Sequence, residues 1–149
     1  ATHLEAMKGE LPEERYCAYL ASVYTYRLAL DKSQLMKYAK GIYNNIERAM
    51  KLNANDPFVL SMQGNVEFYS PFGSKKAALE YFQKADSLYG VAGADYERWN
   101  RRAVQMTYIQ CLSKQRRKEE AIALCAELQA EEPNNVNFQQ LLEELHARD

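Results

Sequence analysis

The side chains best suited to chemistry are two histidines, three cysteines and clustered arginines and glutamates, and their spacing points away from a reaction. His3 precedes the first helical segment and His146 lies near the last residue, so both read as solvated terminal groups. The sequence contains no HExxH, CxxC, GxGxxG or GxxxxGK[ST] arrangement, the spacings that build zinc, dithiol, dinucleotide and phosphate sites. Glu119-Glu120 and Glu143-Glu144 are adjacent in sequence. On a helix such neighbours point about 100° apart, so neither pair flanks one substrate bond as an acid and base would. Cys17, Cys111 and Cys125 are odd in number, which argues against a disulfide framework and for three small buried hydrophobes. Arg98, Arg101 and Arg102 share a helix face at i, i+3 and i+4, a grouping able to grip a carboxylate. Asp95, Glu97 and Glu119 border them, so the set reads as a solvated charged face. The Arg116-Arg117-Lys118 run reads as a loop and helix start balanced by the two glutamates after it. The expectation is no catalytic residue, no metal ligand set and no cofactor.

Bulk composition narrows the class further. The chain has 149 residues, enough for one domain with a real core. Hydrophobic residues make up 47% and charged residues 26%, as in ordinary globular chains, which excludes extensive disorder. A net charge of −1 recruits neither nucleic acid nor an acidic membrane surface. No apolar run reaches the ~18–20 residues of a membrane span. The N-terminus carries neither a signal-peptide pattern nor an initiating Met, so a processed or trimmed chain is one reading. Tyrosine, at 11 residues, is the one compositional excess.

Punctuation predicts seven helices. Pro12 suits the first turn of a helix reaching Leu30. Ser33 is placed to cap a second, 34–52, and Asp56-Pro57 an N-cap and N1 proline for a third. Pro71 ends that helix near Ser70, because the residue before proline avoids helical angles. Ser74 caps a fourth, 75–89, with Gly90 positioned to close it in a left-handed conformation. The stretch 90–94 reads as a loop, and Asp95 as the cap of a fifth helix, 96–113. Helices over 117–131 and 136–146 follow, separated by Pro133-Asn134-Asn135. No segment alternates as a strand does. Short connections imply antiparallel hairpins, about 13–52, 57–89 and 95–131, then a final helix about 135–147.

Small residues recur on the second helices. The segments "IERAMKLNAND" (46–56), "FQKADSLYG" (82–90) and "CAELQAEEPNN" (125–135) align. Ile46 pairs with Ala49, Phe82 with Ala85 and Cys125 with Leu128. Four residues upstream of each lie Ile42, Ala78 and Ala121. The offsets are 36 and 43 residues, a 34-residue period with insertions of 2 and 9. Over about residues 16–145 the chain resembles the tetratricopeptide repeat, whose pattern is W-x2-L-G-x2-Y on one helix and A-x3-F-x2-A…P on the next. Ala78, Phe82 and Ala85 match the second half. Gly64 takes the first-helix glycine place, 14 residues before Ala78. Pro133 keeps the terminal proline. Tyr19, Ser22, Val23 and Tyr26 take the W, L, G and Y places of the first repeat. The resemblance implies an all-α fold: a short right-handed superhelix of about three hairpins plus a C-terminal capping helix. In such packing a small residue lets two helices approach while a large one fills the gap.

In that family the first helices line a concave surface. Carried over by position, the lining residues are Cys17, Leu20, Tyr24, Arg27 and Leu28 in the first repeat. In the second they are Phe58, Ser61, Asn65, Phe68 and Tyr69, and in the third Ala103, Met106, Gln110, Ser113 and Lys114. The resemblance singles out Tyr24, Arg27, Phe58, Ser61, Asn65, Tyr69, Met106 and Gln110 as a partner-binding groove. Asn65 would bond a peptide backbone, the tyrosines would pack, and Arg27 would meet an acidic group. Ser61 and Leu20 stand where chaperone-binding members carry lysine, so a chaperone C-terminus is a poor fit. The expected function is a non-catalytic scaffold holding a protein or peptide segment, with no nucleic acid and no membrane span. The alternatives are a small-ligand carrier or transport accessory and a homo-oligomerisation module. Likeness to some bacterial envelope proteins, through "NDP", "SPFG" and "KKAALEYFQKA", leans towards an exported bacterial protein, with the compartment otherwise open between periplasm and cytoplasm.

Overall fold

Side-chain caps set several helix starts as their residue types require. Asp56 Oδ1 accepts the Val59 N–H at 3.0 Å, and Pro57 occupies the first turn where its missing N–H costs nothing. Ser74 Oγ accepts the Ala77 N–H at 3.2 Å in the same way. In the computed structural model, which describes residues 6–147, the chain is all-α. Among the described residues it forms seven α-helices and no β-strand: α1 Glu13–Leu30, α2 Leu35–Leu52, α3 Pro57–Tyr69, α4 Lys75–Ala92, α5 Arg98–Lys114, α6 Lys118–Glu131 and α7 Val136–Ala147. None of these helices is long and apolar enough to cross a membrane. His3 lies outside the described residues.

Three boundaries differ from the sequence expectation. The turn before α2 is capped by Asp31, whose carboxylate accepts the Ser33 N–H at 3.0 Å, and a short 3-10 turn, Lys32–Gln34, precedes the helix. Helix α4 runs through Gly90 and stops at Gly93, whose φ of +113° is the left-handed angle that glycine tolerates. Asp95 does not cap α5; that helix begins at Arg98, after Glu97 in a left-handed conformation.

The helices pair as antiparallel hairpins. Glu13 at the start of α1 pairs with Arg48 near the end of α2, and Arg102 early in α5 pairs with Glu131 at the end of α6. Helix α3 lies on both α1 and α2, α5 on α4, and α7 covers α6. The nine matched repeat positions are all buried: Ile42, Ile46, Ala49, Ala78, Phe82, Ala85, Ala121, Cys125 and Leu128.

The small–large interlock occurs in two hairpins with its partners exchanged. In the second, a Cβ added at Gly64 of α3 would stand 2.6 Å from Cε1 of Phe82 on α4. In the first, a Cβ added at Gly41 of α2 would stand 2.8 Å from the ring of Tyr24 on α1. The notch sits on the first helix of one hairpin and on the second helix of the other.

Candidate functional site

The starts of α1, α3 and α5 converge on one side chain. Arg15 of α1 donates from Nε and Nη2 to Asp56 Oδ2, at 3.0 and 2.9 Å, and from Nη1 to Glu97 at the start of α5. Tyr89 donates its hydroxyl to the other Glu97 oxygen at 3.3 Å. Burial works against the Arg15 charge, but the hydrogen bonds to Glu97 and Asp56 more than offset it and raise its pKa. Burial, reinforced by the Glu97 charge, holds the Tyr89 phenol above its ordinary range. One turn further along, Tyr19 of α1 lies against Phe58 of α3, with ring centroids 4.6 Å apart.

Beyond this closed end a cleft of about 850 Å³ opens between α1, α2 and α3. Its walls are two matched stripes at i, i+3, i+4 and i+7. These are Ser22, Thr25, Tyr26 and Ala29 on α1, and Met62, Asn65, Val66 and Tyr69 on α3. Leu35, Ala39, Ile42 and Tyr43 of α2 form a third wall, and Thr107 reaches in from α5. The turn after α3 supplies Pro71 and Phe72, held by Tyr43 Oη and Ser70 Oγ at 2.8 Å and by the Phe72 N–H donating to Ser70 Oγ at 3.2 Å. Tyr26, Tyr69 and Phe72 stand exposed around the opening, at 72%, 58% and 73%. Among the described residues no carboxylate lines the cleft, and Lys32 is its one charged group. Tyr69 also lines a second hollow of about 440 Å³ between α3, α4, α5 and α7, with Gln110, Lys75 and Lys114.

The structure brings together only part of the set expected from sequence. Leu28, Asn65 and Tyr69 line the cleft, and Phe68, Tyr69, Gln110, Ser113 and Lys114 line the second hollow. Tyr24 does not face the cleft, because its ring covers Gly41 inside the first hairpin. Phe58 and Ser61 are buried, Phe58 under Tyr19 and Arg15, and Ser61 with its hydroxyl donated to the Phe58 carbonyl at 2.7 Å. Met106 is half-buried against the core, and Arg27 is exposed but lines neither hollow. The missed residues are the α1 stripe, Met62 and Val66 of α3, the α2 wall, Phe72 and Thr107. Each stripe residue on α3 stands 40 residues after its α1 counterpart, whereas the family-based assignment used 41. One residue is about 100° of helix, enough to turn the α1 set, Leu28 excepted, off the cleft.

The arginines of α5 serve as ties between helices. Arg98 and Arg102 both donate to Glu132 Oε1, at 2.5 and 2.9 Å, and Arg101 donates to Asp86 of α4 at 2.8 Å. Gln105, itself buried, accepts from Arg102 and donates to Asp86 at 2.6 and 2.9 Å. The acids that pair with them directly are Glu131, Glu132 and Asp86, while Asp95 acts on Arg98 only through its charge. A hydrogen bond from Asn135, then those from Arg98 and Arg102, pull the Glu132 carboxyl down to about 2. Cys17, Cys111 and Cys125 are free and buried, and burial raises all three thiols. No protein-family model and no curated protein sequence matches the chain.

Proposed function

We propose that the chain is a non-catalytic binding module of tetratricopeptide-repeat type, whose cleft between the first two hairpins takes a segment of a partner protein. The observation that carries this reading is the cleft itself: about 850 Å³, walled by three helices, apolar within and ringed by exposed aromatics. Tyr26 and Tyr69 offer contact area with few rotatable bonds and a hydrogen-bonding tip each. Asn65 presents an amide donor and acceptor to a peptide backbone from within the apolar wall. The same volume lies in the range of small-molecule sites, so an apolar ligand is the second reading.

Ala29 is exposed and lines the cleft, so Ala29→Trp fills the space without disturbing the core. Partner capture by the wild type should fall at least tenfold with Ala29→Trp while the melting temperature stays within about 2 °C. Capture unchanged by Ala29→Trp and by Asn65→Ala would refute the assignment. Binding of a fluorescent long-chain probe, displaced by no protein segment, would favour the small-ligand reading.

A further inference from the structure

The two hollows meet at Tyr69 and differ in charge. The cleft accepts apolar groups, with Lys32 alone at its edge. The smaller hollow brings Lys75 of α4 and Lys114 of α5 to its walls. The backbone of Lys75 and the side chain of Lys114 are each tied down. Gln115 Nε2 and Cys111 Sγ both donate to the Lys75 carbonyl, at 2.7 and 3.4 Å, which ties the start of α4 to the end of α5. The Lys114 ammonium lies 6.0 Å from the centre of the Phe68 ring, a cation–π arrangement that keeps it over the hollow. Neither ammonium has a carboxylate partner among the described residues. Glu144 is the one carboxylate lining the hollow, against the two lysines.

Building on the binding role proposed above, we infer that the bound segment is bipartite. An apolar block fills the cleft between α1 and α3, and one or more adjoining carboxylates, side-chain or terminal, meet Lys75 and Lys114. The segment passes over Tyr69, whose ring is the shared wall. Two ammonium groups with no carboxylate within ion-pair distance among the described residues favour an anion there, and a basic segment would be repelled from both.

The test is selection of random dodecapeptides displayed on phage against the wild-type chain, the Lys75→Glu/Lys114→Glu double variant and Ala29→Trp. Both lysines are exposed, so the charge reversal should leave the thermal melt unchanged. The wild type should enrich peptides with an apolar cluster beside Asp or Glu, and the double variant peptides with Lys or Arg in that place. A synthetic peptide of the wild-type consensus should bind the double variant at least tenfold more weakly in fluorescence anisotropy. Apolar peptides enriched without charge preference, or a preference that survives the charge reversal, would overturn the bipartite inference and leave the binding role standing. No enrichment on wild type over Ala29→Trp would remove both.

Discussion

Gly64→Ala tests whether the two helices of the second hairpin meet as closely as their geometry requires. In an exposed helix this substitution stabilises by about 1 kcal/mol, since alanine is the better helix former. Here the new Cβ would stand 2.6 Å from Phe82 Cε1, 2.8 Å from Cδ1 and 3.1 Å from Cζ. Ordinary carbon contacts lie near 3.5–4.0 Å, so the ring must retreat by about 1 Å. Phe82 is 0% exposed and stands edge-on to Phe68, at 6.4 Å between centroids, so it has little room. Overpacking of this kind costs about 1–3 kcal/mol, which outweighs the propensity gain. The net expectation is a loss of about 1–2 kcal/mol, or about 3–8 °C in melting temperature. Gly41→Ala supplies the contrast. Its Cβ meets the face of Tyr24, which is only half-buried and can swing outward, so a change within about 0.5 kcal/mol is expected. Urea unfolding followed by circular dichroism at 222 nm measures both. Phe82→Leu in the Gly64→Ala background should recover part of the loss, giving a coupling above about 0.5 kcal/mol in a double-mutant cycle. A Gly64→Ala chain about 1 kcal/mol more stable than wild type would refute the reasoning.

Other perturbations probe the rest of the frame. Arg15→Ala leaves Asp56 and Glu97 facing each other at the joined helix starts and should cost about 2–4 kcal/mol in urea unfolding; Arg15→Lys, a single compact cation, should restore less than half of it. Glu132 sits at about 2 folded against an ordinary 4.5, so its contribution is complete above about pH 4.5 and is lost as pH falls towards 2. Allowing for solvent screening, about 1–2 kcal/mol should vanish over that window, and Glu132→Gln should flatten the slope of stability against pH. Titration with an aromatic disulfide should find the three buried thiols reduced and slow, with fewer than about one equivalent reacting in the first minutes; a fast stoichiometric reaction would contradict their burial.

Much of the frame was legible because local chemistry fixes it. Asp56-Pro57 and Ser74 cap helices by hydrogen bonds to their own near neighbours, so sequence alone places them. Gly90 misled because a glycine near a helix end has two uses. Here Gly90 continues α4 with ordinary helical angles beneath the Arg101 guanidinium of α5, and the left-handed angle falls three residues later at Gly93. Ser33 lost the cap to Asp31 because the Asp31 carboxylate engages both the Ser33 N–H and its hydroxyl, starting the turn two residues earlier. The site was less legible, since its lining depends on a register between helices that no local signal sets. The family pattern seeks a glycine on the first helix, and the first hairpin carries its notch on the second, at Gly41. The position matching Gly64 by the stripe offset is Tyr24, a residue too large to be recognised there. Arg27 was assigned from that slipped register and stands roughly opposite the stripe.

The meeting of three helix starts at Arg15 makes the cleft side of the molecule resemble a hand-fan riveted at its base. Helices α1, α3 and α5 cannot spread where Asp56 and Glu97 hold the guanidinium, so any widening must come from tilting about that point. A tilt of α3 towards α1 narrows the large cleft and moves Tyr69 away from the lysines in the same stroke. With Tyr69 as the wall common to both hollows, a change in the width of one is therefore coupled to an opposite change in the other.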